Sequence, residues 1–272
     1  MVEGKGIVEN LKFKKKYVMK KVALAILVLG VVAAGVVGWR VWSKPVVPVV
    51  EEEEEVAVEL PPGKRPFVLM RPRADGHEIK LQVSRILIET PVLEYELVYQ
   101  VADGRTLGVP GTVKLFGKTS LERDLLLGSC SSGKCRYDEG VETGSLTVKL
   151  RDGKGKLIGK AETPFHLGQG GDGIGLGGWE FSGSLDGKSF YLAYENLGLP
   201  EEVTGEVMGG PFSVGTAGST KVKGKVSFQG EGVGEGSQIW AWKEGGWKEL
   251  VTEVVGDKVT AEVASLGTWV VK

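Results

Sequence analysis

The chain has 272 residues, 42% of them hydrophobic and 25% charged, and a formal net charge of -1. That length and apolar content support one large or two ordinary domains with buried cores, and exclude a disordered tail. The near-neutral balance argues against a nucleic-acid partner, which would call for a concentrated basic face to neutralise phosphates.

The charge is unevenly spread. Residues 1–21 carry seven lysines and two glutamates and read as a basic cytoplasmic tail. Residues 22–39 contain no charged or strongly polar side chain. At about 1.5 Å per residue they reach roughly 27 Å, and Val41 and Trp42 extend the stretch to the thickness of a bilayer core. Residues 22–42 are therefore expected to form a transmembrane helix. Lys14, Lys15, Lys16, Lys20 and Lys21 put its start on the cytoplasmic side, and Trp39 and Trp42 suit the far interface. A cleaved signal peptide is the competing reading, with Val32-Ala33-Ala34 as the cleavage site, but the apolar stretch runs on past it. Gly30, Ala34 and Gly38 recur every fourth residue and make a candidate homodimer contact, against the plainer reading of small residues facing lipid.

Residues 43–66 combine prolines with five consecutive glutamates, 51–55, and read as an extended stalk. From Phe67 onward the pattern is β. Ile79, Leu81 and Val83 share one face, as do Leu93, Tyr95, Leu97, Tyr99 and Val101, with Glu94, Glu96 and Gln100 opposite; this period of two marks half-buried strands. Turns are expected at Asp103-Gly104, Asp152-Gly153, Asp186-Gly187, Gly245-Gly246 and Gly256-Asp257.

The glycine-rich run 169–178 divides this region into halves of sandwich size, so residues 67–168 and 179–272 are expected as two tandem antiparallel β-sandwich domains joined by a linker. Gly168, Gly170, Gly173, Gly175 and Gly178 satisfy G-x-G-x-x-G twice. No βαβ unit surrounds them, and Trp179 begins a strand, so a phosphate-binding loop is rejected. The closing tryptophan hairpin followed by VTAEVASLGTWVV resembles the last strands of immunoglobulin-like modules in membrane-anchored prokaryotic surface proteins. The resemblance implies an immunoglobulin-like fold and an extracellular location, and no activity.

Cys130 and Cys135 are the only cysteines. Outside a membrane they are expected to form a disulfide, which closes so short a loop that it adds only about 2 kcal/mol. Zinc needs four ligands, and His77 and His166 lie far off in sequence, so no metal or other cofactor is expected. The run SSGKCR resembles the serine-glycine-cysteine-arginine signature of the L,D-transpeptidases, which implies Cys135 as nucleophile, His77 or His166 as base, and Arg136 stabilising charge. Lys134 stands where that signature has glycine next to the cysteine. The strand end of the sortases is absent.

Trp240 and Trp242 share a strand face, with Trp247 nearby. Exposed, they would form a platform for stacking on sugar rings; buried, they would fill a sandwich core. The leading expectation is a non-enzymatic surface or envelope protein that presents β domains for adhesion or structural interaction with an envelope protein or glycan. A glycan-binding module comes second, and an envelope cysteine transpeptidase or hydrolase third.

Overall fold

A computed structural model describes residues 58–272. The expected cytoplasmic tail, the transmembrane helix at 22–42 with its Gly30, Ala34 and Gly38 contact, and most of the stalk lie outside the described residues. Among the described residues no helix is long and apolar enough to cross a membrane.

The described residues are mainly β, with seventeen strands and one 3-10 turn, Pro62–Lys64. The first half holds β1 (Phe67–Pro72), β2 (Glu78–Ser84), β3 (Val92–Gln100), β4 (Thr106–Lys114), β5 (Leu121–Leu126), β6 (Gly128–Ser131), β7 (Lys134–Tyr137) and β8 (Thr143–Arg151). Two long strands follow, β9 (Leu157–Leu176) and β10 (Trp179–Glu195). The rest comprises β11 (Gly209–Thr216), β12 (Gly224–Gln229), β13 (Ile239–Lys243), β14 (Gly246–Glu249), β15 (Thr252–Val255), β16 (Lys258–Val263) and β17 (Thr268–Val271).

All strand pairs are antiparallel and make three sheets. The small sheet runs β1-β2-β5. The large one runs β14-β13-β17-β11-β10-β9-β8-β3-β4, with β12, β16 and β15 branching from β10. β6 and β7 form a separate two-stranded ribbon.

The alternation read from the sequence builds the first core. Ile79, Leu81 and Val83 of β2 and Leu93, Tyr95, Leu97 and Tyr99 of β3 are all buried in it, together with Leu146, Val148 and Leu150 of β8. A second core gathers Ile174, Trp179, Phe181, Phe212, Val226, Ile239, Val259 and Trp269. Two strands serve both: β9 gives Phe165 and Leu167 to the first and Ile174 to the second, and β10 alternates between them. On β10, Leu192 and Tyr194 face the first core, while Tyr191 and Ala193 face the second. A strand buried on both faces needs a continuous apolar run, and residues 190–194 read FYLAY.

This sharing changes three expectations. The glycine run 169–178, expected as a linker, is part of a hairpin: residues 169–176 belong to β9, and Gly177 and Gly178 turn the chain into β10. Several of its glycines meet a packing requirement: a Cβ on Gly173 would sit 2.5 Å from the Phe181 carbonyl oxygen, and one on Gly175 2.4 Å from that of Trp179. Asp186-Gly187 is no hairpin turn either. The register jumps between Leu185 and Phe190, so these residues form a bulge within β10. Third, residues 58–66 join the body instead of ending a stalk. Glu59 bridges Lys160 in parallel, and Leu60 is buried in the first core over Gly159, where a Cβ would collide with it at 2.2 Å.

The turns at Asp103-Gly104, Asp152-Gly153 and Gly256-Asp257 fall between paired strands as expected, whereas the one expected at Gly245-Gly246 lies a residue earlier, at Glu244-Gly245, with Gly246 opening β14 opposite Lys243.

Candidate functional site

The two cysteines pair. Cys130 and Cys135 form a disulfide across the β6–β7 ribbon, with Cα atoms 4.0 Å apart. A two-residue turn closes the ribbon, and Ser132 (φ 52°) and Gly133 (φ 77°) both take the left-handed conformation that such a turn requires. The ribbon is exposed along nearly its whole length. Among the described residues there is no free cysteine, so the oxidised chain presents no thiolate at Cys135.

Leaving the ribbon, Tyr137 stacks on His77 with ring centroids 4.4 Å apart and planes 16° from parallel. His77 sits in the turn between β1 and β2, where Gly76 (φ 73°) supplies the left-handed step and leaves room for the Phe190 ring. The next residue, Asp138, is fixed twice. Its N–H donates to the Leu127 carbonyl at 2.9 Å, and one carboxylate oxygen accepts from the Tyr99 hydroxyl at 2.8 Å. Burial, then the bond to Asp138, pushes the Tyr99 hydroxyl pKa well above the ordinary tyrosine value.

His166 approaches from β9. Its Nδ1 lies 3.1 Å from the carbonyl of Gly175, nine residues along the same strand. Such a contact requires the strand to bend, and Gly170 (φ 58°) and Gly171 (φ 106°) lie between the two. A carbonyl oxygen only accepts, so Nδ1 carries the proton and the neutral ring keeps its lone pair on Nε2.

These elements meet around a cleft of about 500 Å³. Both histidines line it, with the carboxylates of Asp75, Asp138, Glu139 and Glu142 and no lysine or arginine. The cleft suits a cationic group. Among the described residues no group of three or more His, Cys, Asp or Glu side chains is placed to hold a metal ion. The sequence offered no signal for this cleft, because His77, Asp138 and His166 are scattered and only the β1–β2 turn, the end of the disulfide ribbon and the bend in β9 bring them together.

Trp240, Trp242 and Trp247 do share one face. Trp242 pairs with Trp247 across the β13–β14 hairpin, and all three are half-buried. Each indole is partly engaged. The Lys272 ammonium lies 3.9 Å from the centre of the Trp240 ring, and the Trp247 N–H donates to the Glu201 carbonyl at 3.1 Å. Trp242 packs against Phe67 at 6.2 Å, and its buried Nε1 has no hydrogen-bond partner.

Neither family models, curated proteins nor solved structures give a match to the chain.

Proposed function

We propose that the protein is anchored in a membrane by residues 22–42, with its N-terminus cytoplasmic, and that residues 67–272 are a non-enzymatic, immunoglobulin-like β-sandwich assembly on the outer side, presented for adhesion or structural interaction. The observation that carries this reading is the exposed disulfide. A bridge so accessible would be reduced by the thiol pool of a cytosol and persists in an oxidising compartment. The basic and apolar N-terminal pattern supplies the topology. The acidic cleft supplies a surface for a partner with cationic groups. Protease applied to intact cells is expected to remove the body while sparing the N-terminal tail, and a thiol reagent should label neither cysteine of the native protein. A protected body, or two reactive thiols, would overturn the proposal.

A second reading assigns glycan binding to the three tryptophans, favoured by their common face and partial exposure. Lys272 and Glu201 already occupy two of the indoles, which makes it the weaker of the two. A glycan array probed with the full chain decides: retention that falls at least tenfold on Trp240→Ala supports it, and no retained glycan ends it. The transpeptidase reading has least support, since its nucleophile is held in the disulfide.

A further inference from the structure

One end of the described body is chemically unlike the other. Val92, Lys114 and Arg151 lie side by side in register, so the loops 85–91, 115–120 and 152–156 cluster at the same end of the large sheet. The Ile86 N–H donates to the Thr119 carbonyl at 3.1 Å, tying two of these loops together. At this end Lys114, Lys118, Lys154 and Lys156 are exposed. The opposite end, about 30 Å away along the nine residues of β3, holds the acidic cleft.

The same end exposes apolar side chains. Phe116 is 85% exposed and helps to line a cavity of about 700 Å³, and Leu87, in the 85–91 loop, is 48% exposed. Phe116 also holds φ at 49°, as first central residue of a turn closed by the Lys118 N–H on the Leu115 carbonyl at 2.9 Å. A bulky residue is strained in that conformation, where asparagine or glycine would sit at ease. Folding gains nothing from an aromatic ring placed in solvent on a strained turn.

The chain also enters the body facing this end. Val58 and Leu60 bracket the backbone of Lys160 as a parallel bridge, so followed back toward the N-terminus the described chain points along β9 to the 152–156 turn. Only fifteen residues, 43–57, separate Val58 from the proposed anchor, a reach of at most about 50 Å. A tether of that length keeps the body at high effective concentration near the bilayer.

We propose that this end docks on the membrane surface, with Phe116 and Leu87 entering the interface and the four lysines meeting anionic lipid headgroups. The arrangement follows the logic of interfacial anchors, apolar area combined with electrostatic attraction. It leaves the acidic cleft facing away from the bilayer. This inference rests on the anchored topology proposed above.

The full chain is inserted in vesicles of phosphatidylcholine with phosphatidylglycerol and labelled with a polarity-sensitive dye, without reductant, at Thr119→Cys or at Glu142→Cys by the cleft. Headgroup spin-labelled lipid is expected to quench the Thr119 label at least about twofold more strongly than the Glu142 label, as shallow insertion requires. The difference should shrink at high salt, in vesicles of phosphatidylcholine alone, and in Phe116→Ser. Phe116→Asn controls for folding and is expected to melt no lower than the parent while losing the quenching. Alkaline carbonate extraction separates the two ideas. Retained protein with equal quenching at both labels overturns the docking alone, whereas protein released by carbonate overturns the anchor and the docking with it.

Discussion

Asp152 organises the β8–β9 turn with one carboxylate oxygen, which accepts the N–H groups of Lys154 at 2.8 Å and Lys156 at 2.9 Å. These bonds favour the ionised form and hold its pKa below the ordinary carboxylate value of 3.8. The unfolded chain therefore binds a proton at a pH where the folded chain does not, and the turn's contribution to stability is present above the ordinary value and is lost as pH falls through the folded one. Asp152→Ala is expected to melt below the parent at pH 7, with the gap unchanged until the pH nears the ordinary carboxylate value of 3.8 and narrowing below it. Thermal melts from pH 7 downward check this, and a gap that widens in acid would contradict it. Ser132 and Phe116 make a comparison at the same scale. Both occupy the first central position of a left-handed turn, yet serine is small and suits its disulfide ribbon, while phenylalanine has no local reason to be there.

At the scale of elements, what the sequence made legible was whatever is local. Alternation in EIKLQV and VLEYELVYQV located β2 and β3 and their buried faces, and three Gly- and Asp-containing pairs marked turns that the strands flank, with a fourth displaced by one residue. The disulfide was legible because the only two cysteines lie five residues apart in a stretch read as lying outside a membrane; the hairpin that carries it was not. Asp186-Gly187 misled because a bulge uses the same residue types as a turn, and only the partner strand distinguishes them. The glycine run misled for a related reason: glycine serves flexibility and close backbone approach alike, and here Phe181 and Trp179 press on it. Asn196 was invisible as well. Its carboxamide oxygen accepts from the Val68 N–H at 2.9 Å, and its amide donates to the Val68 carbonyl and to the Ser213 hydroxyl. Tyr194 adds a bond from the Met70 N–H at 3.1 Å. Side chains thus satisfy a backbone edge of β1 where it crosses Gly215, and fasten the small sheet to the large one over a separation of more than a hundred residues.

For the whole molecule, the shared strands make the two cores mechanically one. Tyr191 to Tyr194 alternate between them, so β10 cannot leave one core without exposing side chains of the other. Tandem domains on a linker would unfold separately; here unfolding is expected to be a single transition. Phe181 tests this from within the second core. It is fully buried, stacks on Trp269 with centroids 6.4 Å apart, and fills the space left by Gly183 and Gly224. Truncation to alanine removes a large aromatic from a site whose neighbours are fixed by sheet pairing, and costs about 3–5 kcal/mol. For a body of this size that lowers the melting temperature by roughly 10 °C. The informative measurement is hydrogen exchange across the melt, followed separately in β3 of the first core and β16 of the second. In Phe181→Ala both strands are expected to lose protection at one lowered temperature, because the loss reaches β3 through β10, β9 and β8. If β16 opens early while β3 keeps the parental midpoint, the cores are independent and the long hairpin is only a covalent connection between them.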